Sequence, residues 1–262
     1  KNTFNYSSIA WLSDKYIVSS ISEISDLIQI KKASIKVKKY IGFGNPVIKT
    51  AENQKIDNVA NNPMRLGLPE LPETEDELYS VASDMGLTIQ EANENIFTQN
   101  RATETRLRSL DMSNLEIIHF ATHAVLPDNQ MGVYEPSLIL TYENDDSEGF
   151  LTSAEIASME INANLAILSA CSTSWTPDNQ SGTVLDLARA FRYAGTQLTL
   201  ISHWNLETNT AKKFISDFSL ELYKNPNSKS EALQKTMQKM RKDIRLSHPI
   251  FWAPFELVGR EL

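Results

Sequence analysis

Cysteine is nearly absent: Cys171 is the only one in 262 residues. A lone thiol excludes an internal disulfide framework and any zinc site built from several cysteines. Long apolar runs are missing as well, and no stretch approaches the ~20 apolar residues that a membrane helix needs. No basic start followed by an apolar signal segment is present. Basic charge is in short supply, with 25 Lys and Arg against 33 Asp and Glu and a net charge of −8. Nucleic-acid binding needs a basic surface to neutralise phosphates, so a nucleic-acid partner is not expected, nor is a membrane. "GFGNP" is too short for a phosphate loop, and no Lys-Ser/Thr follows it. No Gly-x-Ser-x-Gly elbow exists, which argues against a serine hydrolase. Internal repeats and low-complexity runs are also lacking.

What remains is ordinary for a soluble globular protein, with 41% hydrophobic and 22% charged residues. The length suits one large domain or two small ones. A chain that begins with Lys1 rather than Met is expected to be cut from a longer protein. Any targeting signal would lie in the missing part, so cytoplasmic is only the default compartment.

Apolar patterning alternates between strands and helices. "KKYIGFGNPV" (38–47) reads as a strand ending in a Gly-rich turn at Gly42, Gly44 and Pro46. A polar, Asn-containing loop follows to about Pro72. "TEDELYSVASDMG" reads as a helix with a capping box at Thr74 and Glu77 and a stop at Gly86. A weak strand is expected near Gly86–Gln90 and a short helix from about Thr103 to Leu110. "EIIHFATH" (116–123), "NLAILSA" (164–170) and "QLTLIS" (197–202) are near-continuous apolar runs, the pattern of strands covered on both faces. "PSLILTY" (136–142) and "FWAPFELVG" (251–259) supply further strands. Helices are expected at "TSAEIASM" and "TVLDLARAFRYAG", then one carrying Ala211, Phe214, Ile215, Phe218 and Leu222, and one from a capping box at Ser228 and Glu231 to about Asp243. This order predicts an α/β fold with a mainly parallel central sheet and helices on both faces. Residues 1–37, with the strand-like "YIVSS" and the helical "ISEISDLIQI", read as an N-terminal appendage to a core over 38–262.

Sites in such folds form at the carboxyl ends of the strands. In this reading His123, Cys171 and His203 each end a strand, and Gly42 and Gly44 lie past another. By itself Cys171 reads as a small buried hydrophobe or as a reactive thiol. Adjacent strands are ~4.8 Å apart, so a His and a Cys beyond neighbouring strand ends can meet. The imidazole can take the thiol proton and later protonate a leaving amine, which is the logic of a nucleophilic peptidase. His119, in mid-strand, reads as a hydrogen-bonded core histidine. A zinc site from His123, Cys171, His203 and Glu207 has no supporting ligand spacing.

"IIHFATHAVLPD", "LTSAEIASM", "LAILSACSTS", "VLDLARAFRYAGTQLTLISHWNLE" and "HPIFWAPFELVG", in this order, resemble successive blocks of the CHAT domain. This is a caspase-like domain related to separase, of peptidase clan CD, often found after TPR repeats. The resemblance covers about 74–259, with a weaker match at "YIGFGNPV". It implies a caspase-like three-layer α/β/α sandwich. It also implies a cysteine endopeptidase with His123 and Cys171 as the catalytic dyad, and an oxyanion hole from the backbone N–H groups of Ala124 and Cys171. No cofactor and no metal are implied. The partners would be a protein or peptide substrate and an N-terminal TPR-type region or activating protein. Gly42, Gly44, His203, Trp204 and Glu207 are the expected substrate-binding residues. Ala124 stands where the family usually has Gly, and Thr208 stands where relatives cleaving after basic residues place an acid, so basic specificity is not carried over. The alternative is a catalytically inactive signalling domain that binds a peptide at the same rim. The polar loops after His123 and Cys171 are expected to build the substrate cleft.

Overall fold

The computed structural model describes residues 6–21, 24, 39–48, 68–127, 133–143, 148–169, 171–172 and 183–261. In chain order the elements begin with α1 (Leu12–Lys15), β1 (Tyr40–Pro46), α2 (Glu73–Asp84), α3 (Ile89–Asn95), β2 (Ile96–Gln99) and α4 (Glu104–Arg108). Next come β3 (Leu115–Ala121), β4 (His123–Val125), β5 (Ser137–Ile139), β6 (Phe150–Thr152), α5 (Ser153–Ser158), β7 (Ala163–Leu168) and β8 (Cys171–Ser172). The chain finishes with α6 (Val184–Tyr193), β9 (Leu198–Ser202), α7 (Thr208–Lys224), α8 (Lys229–Lys242) and β10 (Phe255–Gly259).

Six strands form the central sheet in the order β10-β9-β7-β3-β1-β2. Every pairing is parallel except β10 with β9. The apolar runs of β3 and β7 are continuous because both faces are covered, and successive residues enter opposite layers. Ile118, Phe120, Ala166 and Leu168 pack with Leu187 and Phe191 of α6. Ile117, Ala121, Leu165 and Ile167 pack with Leu78 and Val81 of α2 and with Phe214 and Phe218 of α7. Each fully buried Ile, Leu, Val or Phe of this kind contributes ~1.5–3 kcal/mol of transfer free energy, and each Ala less. The result is a three-layer α/β/α sandwich with a mainly parallel sheet, as expected from the sequence.

The structure departs from the sequence reading in four places. Gly42 and Gly44 lie inside β1, not in a turn beyond it, and pair with His119 and Ala121 of β3. A Cβ on Gly44 would sit 2.7 Å from the Ala121 carbonyl oxygen and 2.9 Å from Leu78 Cδ1, so glycine here lets α2 and β3 close on β1. The region read as a weak strand is the start of α3, capped reciprocally by Thr88 and Glu91, and the strand follows at β2. Thr74 and Glu77 do not form a capping box, because the N-cap of α2 is Pro72. Finally, β4, β5, β6 and β8 form a second, four-stranded sheet in the order β6-β5-β4-β8.

Of the N-terminal appendage, residues 1–5, 22–23 and 25–37 lie outside the described residues, and with them most of "ISEISDLIQI". "YIVSS" meets the core through Ser20, which forms a parallel bridge to Val258 on the outer side of β10. Its N–H donates to the Leu257 carbonyl at 2.9 Å. Ahead of it, Arg241 of α8 donates to Ser13 Oγ at 2.9 Å and to Asp14, and its guanidinium lies 4.8 Å from the centre of the Trp252 ring.

Candidate active site

His123 and Cys171 do not end the long strands β3 and β7. Each opens a short strand of the second sheet, after a step of one residue past β3 for His123 and of two residues past β7 for Cys171. At the first of these steps the Thr122 hydroxyl donates to the Ile139 carbonyl at 2.6 Å, which ties the crossing to β5. β4 and β8 then run parallel, with His123 paired to Cys171 and Ala124 paired to Ser172. The two residues singled out for chemistry are therefore register partners on adjacent strands.

The His123 side chain is buried. Its Nε2 lies 2.8 Å from the carbonyl oxygen of Pro69. A carbonyl oxygen only accepts, so Nε2 carries the proton and Nδ1 holds the lone pair whenever the ring is neutral. Burial pushes the His123 pKa below its ordinary value, against the opposing pull of the Pro69 hydrogen bond and the nearby Glu73 charge. The ring is thus oriented, in a defined tautomer, and biased toward its basic form.

Beneath this pair lies a buried polar cluster. His119 is fully buried on the α2 side of the sheet. Its Nδ1 is 3.0 Å from the Tyr40 hydroxyl, and its Nε2 is 3.1 Å from Glu77 Oε1 and 3.3 Å from Ser169 Oγ. The Ser169 hydroxyl donates to the same Glu77 oxygen. Burial, and then the Glu77 charge, hold the Tyr40 pKa well above its ordinary value, so Tyr40 stays a neutral phenol. The expectation of a hydrogen-bonded core histidine at His119 holds.

The expected oxyanion residue Ala124 sits within β4, flanked by Leu138 of β5 and Ser172 of β8. Its φ is not positive, so the Cβ that replaces a family glycine is compatible with the backbone. The three residues expected beyond β9 have partners of their own. The His203 imidazole pairs with Glu256 of β10, and Glu256 also accepts from Ser20 Oγ. Trp204 is 38% exposed and donates from Nε1 to the Ile250 carbonyl at 3.0 Å. Glu207 caps α7, accepting the backbone N–H groups of Asn209 and Thr210 at 3.1 Å each, and these bonds hold its carboxyl below the usual range. Among the described residues no cluster of three metal-ligating side chains occurs. No helix among them is long and apolar enough to cross a membrane.

Two participants were not found from sequence. Pro69 acts through a backbone carbonyl, which every residue possesses, so no side-chain signal marks it. Glu77 stood in a Thr-x-x-Glu pattern that reads as a cap, and its buried position on the sheet-facing side of α2 was masked by that motif. Much of the loops after His123 and Cys171, residues 128–132 and 173–182, lies outside the described residues, as does the side chain of Cys171.

The model of the CHAT domain family matches residues 4–260. Among curated proteins, human tetratricopeptide repeat protein 28 is 27% identical over 222 residues, covering 73% of this chain and 8% of that protein. The mouse protein of the same name is 26% identical over 222 residues, covering 73% of this chain and 9% of its own length. The chain thus spans less than a tenth of the curated relatives it matches.

Proposed function

Because this chain belongs to the CHAT domain family, we propose that it is a cysteine endopeptidase working through a His123–Cys171 dyad. The observation that carries this reading is the register of β4 and β8, in which His123 and Cys171 are direct partners. Strands in a sheet are ~4.8 Å apart, so paired residues are within range of a proton transfer between their side chains.

His123, with its lone pair on Nδ1, takes the thiol proton. The Cys171 sulfur attacks the scissile carbonyl carbon, and the oxyanion is assigned to the backbone N–H groups of Ala124 and Cys171. Collapse of this intermediate breaks the C–N bond, and the imidazolium gives its proton to the leaving amine. Water, deprotonated by His123, then hydrolyses the thioester, releases the new carboxylate and restores the thiol. Trp204, exposed beyond β9, is the proposed wall of the substrate cleft, with His203 and Glu207 beside it. Gly42 and Gly44 contribute by allowing close packing beneath the cleft. The similar proteins are named for tetratricopeptide repeats, which supports an upstream repeat region as the controlling partner.

Incubation with a diverse peptide library tests the proposal. Wild type is expected to release new N-termini, and Cys171→Ala is expected to release none. Equal cleavage by both would refute it. Peptide retention without cleavage by either would establish the inactive binding domain instead.

A further inference from the structure

Glu77 is a buried acid on α2, on the same face as Leu78, Val81 and Ala82, which are packed against the sheet. A carboxyl group in such a place costs several kcal/mol of desolvation unless hydrogen bonds replace its water. Its Oε1 is met by the Ser169 hydroxyl and by His119 Nε2. Ser169 is the residue after β7, two positions before Cys171. Its backbone N–H makes a last sheet bond to the Phe120 carbonyl at 3.1 Å. Its side chain is half-buried, and Glu77 fixes it. Ser169 is therefore the anchor from which the chain crosses between sheets to reach Cys171.

The other half of the pair is held from the same direction. The segment leading into α2 orients His123 through the Pro69 carbonyl. The first turn of α2 grips the end of β1: Thr74 Oγ1 accepts from the Asn45 N–H at 2.9 Å, and Glu75 accepts from the Asn45 amide at 3.2 Å. One helix and its lead-in thus bind the ends of three neighbouring routes into the site.

We propose that Glu77 is a positioning residue for Cys171, acting through the Ser169 hydroxyl to fix where the chain leaves β7 and so where Cys171 stands relative to His123. The inference rests on the reading of His123 and Cys171 as a reacting pair. It assigns α2 the role of a frame holding both members in one geometry.

Cys171 is the only thiol of the chain, so its reactivity can be read without any substrate. The rate of alkylation by iodoacetamide is followed on the Cys171 peptide by mass spectrometry from pH 5.5 to 9.5. Wild type, His123→Ala, Glu77→Gln, Ser169→Ala and Ser169→Thr are compared, with melting temperatures measured alongside. An imidazole held beside the thiol gives wild type a midpoint below the ~8.5 of a free cysteine. His123→Ala raises the midpoint. Glu77→Gln and Ser169→Ala are expected to raise it by about one unit, a roughly tenfold slower reaction at neutral pH. Ser169→Thr, which keeps the hydroxyl, is expected to retain the wild-type profile. A purely structural role would lower the melting temperature and leave the midpoint in place, and that result overturns the inference. A shift in His123→Ala without one in Ser169→Ala overturns it while sparing the dyad. No shift in His123→Ala overturns both. If Glu77→Gln does not fold, the Ser169 pair decides.

Discussion

The ring of His123 is fixed by a residue 54 positions earlier in the chain, with Nε2 donating to the Pro69 carbonyl oxygen at 2.8 Å. That bond leaves Nδ1 as the basic atom, while burial lowers the pKa of the ring. Burial favours the neutral imidazole, and the Pro69 bond, which pulls the pKa the other way, fixes Nδ1 as the atom that accepts a proton.

The acidic limb of peptidase activity is therefore expected to fall below the ~6.5 of an unperturbed histidine. Stability follows the same group. The unfolded state binds a proton at higher pH than the folded state does, so this contribution is complete above about 6.5. It is lost as pH falls from there through the depressed folded value. Thermal unfolding of wild type and His123→Ala across pH 5 to 8 checks this, and the variant should lose that part of the slope.

Glu104 gives the opposite sign. Burial first, and then the Glu155 charge, raise its pKa to about 7, against the Gly149 N–H bond and the half-exposed Arg108. The folded state thus binds the proton more tightly than the unfolded state, and stability from this group is lost as pH rises from about 4.5 to about 7. Glu104→Gln keeps an acceptor for Gly149 without the charge. Its melting temperature at pH 7.5 relative to pH 5.5 should exceed the wild-type difference.

Gly44→Ala tests the closure of β1 on β3. The new methyl would approach the Ala121 carbonyl oxygen at 2.7 Å, and backbone yields less readily than a flexible side chain. Overpacking of this kind costs about 1–3 kcal/mol. Because Ala121 leads directly into Thr122 and His123, a drop in turnover should accompany the loss in denaturant midpoint.

The layered architecture, the long buried strands and most helices were legible because they carry strong periodicity. α6 buries Val184, Leu187, Ala188 and Phe191, the positions that its pattern marks, and Gly195 follows with φ 111°. The second sheet was not legible, since strands of two or three residues are too short to show a period. Gly42 and Gly44 read as turn residues because glycine signals a turn in isolation, whereas here tertiary packing demands the missing side chain. Thr74 and Glu77 matched a capping box, but Pro72 begins the helix earlier, and Thr74 Oγ1 donates to the Leu71 carbonyl at 2.8 Å instead. His123 and Cys171, which the sequence singles out, are register partners on adjacent strands, while the groups that hold His123 were hidden by distance in sequence.

Arg241 joins the N-terminal segment to the core. It is itself buried, and it reaches Ser13 and Asp14 while stacking on Trp252. Arg241→Ala should destabilise the protein by roughly 1.5–3 kcal/mol, the range for hydrogen bonds to charged groups. Limited proteolysis should also cut faster within Tyr16–Ile21, where Tyr16, Ile17, Val18 and Ile21 are already exposed. An unchanged digestion rate would show that the segment is held without Arg241, by Gln234 on the Ser13 and Tyr16 carbonyls and by the Ser20 bridge to β10.

The proposed mechanism requires a covalent acyl intermediate on Cys171. Its most direct test is acid quench during turnover of a peptide cleaved by wild type, followed by mass spectrometry of the Cys171 peptide. A thioester carrying the acyl half of the substrate is predicted on Cys171, absent in Cys171→Ala. Cleavage that proceeds without an adduct, and that survives Cys171→Ala, would contradict the account.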